Sequence, residues 1–308
     1  MWSSDTVEWI DVELTSFCNI DCPGCFRQVK NDKVNSILNL GFLKFENLKK
    51  WITIDDFPNL DLLNFCGSID EPTLHPEILD IVDHFSKICN INISTNGSTK
   101  TETFWKKLGE YRISVFFGID GTDQESLEKY RIGSNFKKIQ RNYRAFIDAG
   151  GNATWQFIVF DHNEHLIEKA KEISKKDGFS NFRKIYSHRK GNQESKKIQK
   201  KENKEIFCKY ANQKRLFLSH TGALLPCCFF NSEFLQVYSG NEPRTDFDYK
   251  YKELGEVLCN NLKYISPNEI INGELFDFII ESWKNKPVSR CLSTCKKTNQ
   301  DVFIDEGL

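Results

Sequence analysis

At 308 residues, 39% hydrophobic and 28% charged, with a formal net charge of −1, the chain can bury a sizeable core and has room for one large domain and a smaller one. The balanced charge gives no electrostatic case for nucleic acid, and the N-terminal segment carries Asp5, Glu8, Asp11 and Glu13 with no apolar run, so neither a signal peptide nor a membrane span is expected. The expectation is a cytoplasmic protein, and for such a chain eleven cysteines, an odd number and clustered, argue for metal binding or catalysis over disulfides.

Residues 7–15 alternate and are apolar enough for a strand. It leads into Cys18-Asn19-Ile20-Asp21-Cys22-Pro23-Gly24-Cys25, three cysteines at positions i, i+4 and i+7 of one short polar loop. Three thiolates placed this way can hold three corners of an iron–sulfur cube, and the fourth iron then lacks a protein ligand and becomes a reaction site. Zinc would ask for a four-ligand set, and no histidine lies near the loop. Strands and helices alternate from there. Residues 60–65 suit a strand buried on both faces, Ile78, Ile81, Val82, Phe85 and Ile88 fall at helical spacing, and 91–95 is a strand again. The spacing predicts a helix over 101–108, a strand over 113–119, a helix over 136–149 ending at Gly150-Gly151, a strand over 155–160 and a helix stopped by Gly178. A sixth strand is expected at 182–186. Such alternation means a parallel sheet, with functional residues at the C-terminal ends of its strands. The run 189–205, rich in Lys, Glu and Gln, reads as a solvated linker.

The CX3CX2C loop of Cys18, Cys22 and Cys25 resembles the signature of radical S-adenosylmethionine (radical SAM) enzymes. The resemblance implies a partial (β/α)6 barrel over 1–188, a catalytic 4Fe-4S cluster on these three cysteines, and S-adenosyl-L-methionine as the second cofactor. In the family one electron from the cluster cleaves S-adenosylmethionine to methionine and a 5′-deoxyadenosyl radical. The aromatic residue that the family carries before its third cysteine is Gly24 here, and Phe26, just after, is the aromatic assigned to the cofactor. Cys66-Gly67-Ser68-Ile69-Asp70-Glu71-Pro72 stands where the family has its GGE motif, so Gly67 and Glu71 are expected at the cofactor's amino group. As residues alone, Glu71-Pro72 also suits the first turn of a helix. Ser94-Thr95-Asn96-Gly97 and Gly118-Ile119-Asp120-Gly121 resemble the family's TNG and SxDG segments. Ser94, Asn96 and Asp120 are assigned to the ribose, although such pairs are also ordinary turn chemistry. Arg131 is assigned to the cofactor carboxylate, a surface arginine being the plain alternative. The segment 161–164 reads as a helix cap, with lining of the adenine pocket as the alternative that the resemblance implies.

Beyond the linker, Cys208, Gly222 and Cys227 fit the CX9-15GX4C pattern that opens SPASM and twitch domains. A hairpin is expected, 216–219 and 223–230 turning at His220-Thr221-Gly222, and then a helix about Phe276, Ile279, Ile280 and Trp283. Cys291 and Cys295 follow as a CX3C pair, and Ser282 and Asn285 stand where a full SPASM domain has two further cysteines. The resemblance therefore implies a twitch-type domain over 206–308 with one auxiliary 4Fe-4S cluster on Cys208, Cys227, Cys291 and Cys295. Cys228 or Cys259 could replace one of these, and the same four thiols would serve a structural zinc.

The function expected from this resemblance is reductive cleavage of S-adenosylmethionine followed by abstraction of a hydrogen atom from a peptide or peptide-like natural-product precursor. A sugar or aminocyclitol is the alternative substrate, and a zinc or iron–sulfur protein without catalysis the second alternative. A reductant such as flavodoxin or ferredoxin is the implied partner. With strand one beginning near residue 7, no N-terminal peptide-recognition domain is expected, though another chain could supply one.

Overall fold

The computed structural model of the protein describes residues 2–29, 33–186, 206–295 and 303–307; the expected linker, 189–205, lies outside the described residues. In chain order the strands are β1 Trp9–Val12, a small ribbon of β2 Gln28–Val29 and β3 Lys33–Val34, then β4 Leu62–Phe65, β5 Asn90–Thr95, β6 Ser114–Gly118, β7 Asn152–Val159, β8 Asn181–Tyr186, β9 Arg215–Leu218, β10 Leu224–Leu225 and β11 Phe303–Gly307. Helices α1 Phe45–Trp51, α2 Ile78–Phe85, α3 Glu102–Gly109, α4 Gln124–Glu128, α5 Phe136–Asp148 and α6 Ile167–Lys176 alternate with the first of these strands. The helix boundaries follow local chemistry. Thr101 and Asn135 cap α3 and α5 by accepting from Phe104 N and Lys138 N, and α5 and α6 end where Gly150 (φ 96°) and Gly178 (φ 85°) take the left-handed conformation.

Strands β1, β4, β5, β6, β7 and β8 are neighbours in that order and parallel throughout, which is the expected partial (β/α)6 barrel, sixth strand included. Both edges of this sheet carry a further strand. On one side β9 pairs parallel with β1, Trp9 opposite Arg215 and Val12 opposite Leu218, and β10 returns antiparallel to β9. On the other β11 pairs antiparallel with β8. The expected hairpin is therefore present, but its return strand is only Leu224–Leu225 before the chain enters a 3-10 turn at Cys228–Phe230. The hairpin also continues the barrel sheet: an uncovered β1 would present a row of unpaired N–H and C=O groups, which β9 satisfies.

Strand alternation sorts the sheet into two faces. Ile10, Val12, Leu63, Phe65, Ile93, Val115, Phe117, Trp155 and Phe157 are buried beneath the helices, where Trp105, Phe117, Tyr143, Phe146 and Phe179 form a continuous aromatic cluster. The opposite face carries Asp11, Asn64, Asn92, Ser94, Gly118, Gln156 and Arg183 together with Trp9, Phe116, Ile158 and Ile185, a lumen of mixed character. The C-terminal part adds α7 Lys209–Asn212, α8 Asn231–Tyr238, α9 Asp246–Glu253, α10 Pro267–Ile271, α11 Glu274–Ser282 and α12 Ser289–Thr294. Only α11 is legible from apolar spacing. Arg215 ties this part to the barrel through Asp11 (Nε to Oδ2, 2.8 Å), and the Tyr210 hydroxyl donates to the same carboxylate. No described helix is long and apolar enough to cross a membrane.

Candidate functional site

The loop after β1 carries Cys18, Cys22 and Cys25, and all three thiols line one cavity of about 310 Å³ at the C-terminal ends of the barrel strands. The loop is held from two sides. Arg27, buried, donates from Nη1 to the carbonyl oxygens of Ile69, at 3.1 Å, and of Ser16. Asn96 donates from Nδ2 to Asn19 Oδ1 at 2.8 Å and reaches Cys18 Sγ at 3.9 Å. Burial, with the Glu71 charge second, pushes the Cys18 thiol up to about 12, so a bare thiolate is unfavourable there and ionisation calls for a cation alongside.

The loop after β4 supplies the next wall. Glu71 is fully buried, and both carboxylate oxygens are engaged: Oε1 accepts from Thr73 N (3.2 Å), Thr73 Oγ1 (2.6 Å) and Thr95 Oγ1 (2.6 Å), and Oε2 from Asn96 N (2.7 Å). Burial raises its pKa and these hydrogen bonds pull it back. Glu71 thus caps the 3-10 turn Pro72–Leu74 and pins the end of β5 in one stroke. Gly67 lies so close to β5 that a Cβ would stand 2.9 Å from the Ser94 carbonyl oxygen.

Across the cavity, Arg131 donates from Nε to Asp120 Oδ2 at 2.7 Å, while Asp120 Oδ1 accepts from Ile158 N at 2.8 Å. Burial works against the guanidinium charge, but Asp120 and Cys22 outweigh it and hold the pKa above its ordinary value. Asn163, in the segment expected as a helix cap, instead donates to the carbonyl oxygens of Asp120 and Ile158, both at 2.9 Å, and fixes this corner.

Of the residues expected at the cofactor, Cys18, Cys22, Cys25, Gly67, Glu71, Ser94, Asn96 and Arg131 share the cavity. Asp120 stands behind Arg131. Phe26 is absent from the lining: it packs, half-buried, against the core, and its neighbour Arg27 turns inward in its place. Asp70, Tyr130, Gln156 and Ile158 line the cavity without having been singled out. Asp70 sits inside the quoted motif, so its signal was present; Gln156 and Ile158 follow only from the pairing of β7.

A second group of thiols gathers in the C-terminal part. Cys208 caps α7, accepting from Ala211 N at 3.4 Å, and Phe207 N donates to the Cys295 carbonyl oxygen at 2.9 Å, which brings 208 alongside 295. Burial pushes the Cys295 thiol up to about 12, with the charges of Cys208 and Cys291 adding to it. Burial likewise raises Cys227, which also feels Cys228, Cys208 and Cys295. Cys208 and Cys295 thus lie within electrostatic reach of both Cys227 and Cys291. Cys228, whose charge also acts on Cys227, is raised by burial and feels Asp11, Tyr210 and Arg215. Cys259 lies beside Tyr251. Among the described residues, no three His, Cys, Asp or Glu side chains converge tightly enough to hold a metal ion. The donor chemistry of the loop group nevertheless fits a sulfur-ligated cluster: three thiols on one short loop, at the barrel mouth, facing a cavity lined by no histidine among the described residues.

A parallel partial barrel whose first loop presents three thiols to a cavity at the strand ends defines a class of enzyme that works at the mouth of the barrel. The chain belongs to the radical SAM superfamily, whose family model matches residues 12–173, more than half of its length. Membership makes it an S-adenosylmethionine-dependent iron–sulfur enzyme. It is 34% identical over 119 residues to the tungsten-containing aldehyde ferredoxin oxidoreductase cofactor-modifying protein of Pyrococcus furiosus, a match covering 37% of this chain and 31% of that protein. The fold is similar to that of anSMEcpe with bound AdoMet (TM-score 0.60, 17% identity, 90% of this chain and 81% of that one). It is also similar to SuiB of Streptococcus suis bound to S-adenosylmethionine (TM-score 0.57, 13% identity, 73% and 59%). The chain thus spans less than two thirds of SuiB and of the P. furiosus protein.

Proposed function

We propose that the protein abstracts a hydrogen atom from a peptide or peptide-like precursor, using a cluster on Cys18, Cys22 and Cys25 and S-adenosylmethionine in the adjoining cavity. The observation that carries this reading is that the three loop thiols open onto the same cavity as Arg131. When bound, the cluster and S-adenosylmethionine supply a one-electron cleavage to methionine and a 5′-deoxyadenosyl radical.

The chain's own residues prepare the site. Arg131, aimed by Asp120, offers a planar pair of donors suited to the carboxylate of an amino acid. Glu71 locks Thr95 and Asn96 in place, and Asn96 in turn holds Asn19 of the cysteine loop. Ser94, Gly118 and Gln156 leave a polar floor on which a ribose can rest. Residues 206–308 act as the auxiliary-cluster domain, with Cys208, Cys227, Cys291 and Cys295 holding a second 4Fe-4S cluster. The peptide class is supported by what neighbouring folds hold: SuiB has been captured bound to precursor peptide SuiA, and anSMEcpe with a Cp18Cys peptide. A flavodoxin or ferredoxin supplies the electron.

Anaerobic reconstitution tests the reading: about eight irons are expected, from two four-iron clusters, together with 5′-deoxyadenosine formation under reductant. Replacing Cys18, Cys22 and Cys25 together by Ala should remove about half the iron and all of the cleavage. Cleavage retained in that variant would overturn it.

A further inference from the structure

Asp70 is the acid of the cavity that the reading above leaves without a role. It is only 7% exposed and is one of the residues that line the cavity. Among the described residues, Oδ2 accepts one long hydrogen bond, from Thr15 N at 3.3 Å, and the buried Oδ1 has no partner. The adjacent Glu71 is the reverse case, with four donors on its two oxygens. The nearest guanidinium, Arg27, turns its Nη1 to the carbonyl oxygens of Ser16 and Ile69.

A buried carboxylate oxygen without a donor costs on the order of 1–3 kcal/mol or more. Glu13 and Glu71 worsen the case by adding negative charge nearby, and together with burial they push the Asp70 carboxyl well above the usual carboxylate range. An N–H donor or cation arriving through the cavity relieves both penalties at once, and among the described residues no protein group does so. On the far side of the same cavity Arg131 presents a positive wall. The two walls together match an amino acid's amino and carboxylate ends.

We propose that Asp70, and not Glu71, is the side chain that accepts hydrogen bonds from the amino group at the amino-acid end of S-adenosylmethionine, Glu71 serving to hold the β5 loop. The proposal rests on S-adenosylmethionine occupying this cavity.

Calorimetric binding to the reconstituted protein tests it with two probes: S-adenosylmethionine, and 5′-methylthioadenosine, which lacks the amino-acid end. Asp70→Asn should weaken S-adenosylmethionine by about tenfold or more, the size of one lost charge-assisted hydrogen bond. It should leave 5′-methylthioadenosine within about twofold, because the nucleoside end does not reach Asp70. Equal losses for both probes, or no loss for either, would overturn the proposal. Asp70→Ser, read the same way, serves if the first variant does not fold. A wild-type protein that binds neither probe overturns the reading of the cavity and this proposal with it, whereas normal wild-type binding with an indifferent Asp70→Asn overturns the proposal alone.

Discussion

The guanidinium of Arg131 lies directly over Gly118: a Cβ built on that glycine would stand 2.5 Å from Nη2 and 2.8 Å from Cζ. Where the family resemblance leads one to expect a serine at the end of β6, this chain has no side chain, and the space is filled by Arg131, clamped by Asp120. The obstacle to a larger residue is the tip of a flexible side chain, so Gly118→Ala should fold normally, with stability changed by less than about 1 kcal/mol. The displaced guanidinium should then bind S-adenosylmethionine about tenfold more weakly, since a bidentate contact tolerates little misplacement. A binding isotherm and a denaturant titration read the two effects separately. Unchanged affinity would show that Arg131 does not meet the ligand.

Glu71→Gln should destabilise the protein by about 2 kcal/mol, because the amide nitrogen presents a donor where Asn96 N or the Thr73 and Thr95 hydroxyls already donate. The measurement is the urea midpoint at constant slope. A loss of ligand affinity with no loss of stability would instead make Glu71 a direct contact.

Replacing Cys291 and Cys295 by Ala should remove about four irons and spare the loop cluster, because the two ligand sets sit on separate segments of the chain. Cleavage of S-adenosylmethionine without substrate should survive. Were the site structural zinc, native protein would contain zinc, and the variant would lose folding stability before any step of the chemistry. If all iron remained, Cys228 and Cys259 would be the next ligands to test.

Glu233, on α8, pairs with Arg290 at 3.0 Å, but its buried Oε2 has no partner among the described residues, and burial outweighs the arginine and raises the carboxyl to about 7. The folded state therefore holds this proton more tightly than the unfolded chain does. Below the unfolded value both states are protonated and nothing is lost; as pH rises through the folded value the folded state is penalised, by up to roughly 3 kcal/mol at about 1.4 kcal/mol per pH unit. Denaturant midpoints should fall between about pH 5 and about pH 8 and then level off. Glu233→Gln should flatten that slope, and an unaltered slope would assign it to another group.

Much of the site was legible because its determinants are local. Cys18, Cys22 and Cys25 fall within one loop, so their spacing alone announces a shared ligand, and the stops at Gly150 and Gly178 are set by the backbone freedom of those residues themselves. The alternation of strands and helices fixed a parallel sheet for the same reason, since each element's periodicity is written in a few consecutive residues. Tertiary structure decided which of two adjacent, chemically similar residues does what. Asp70 and Glu71 differ in role only because Thr95 and Asn96, some twenty-five positions away, reach one and not the other. Cys227 and Cys228, neighbours at the start of the turn 228–230, differ in surroundings, one feeling Cys208 and Cys295 and the other Asp11 and Arg215. Phe26 and Arg27 exchanged places at the cavity on the direction of a single side chain. The pairing of β9 with β1, sealed by Asp11 and Arg215 across 204 positions of sequence, could not be read from either strand, because an apolar run states that it must be buried and leaves open against what.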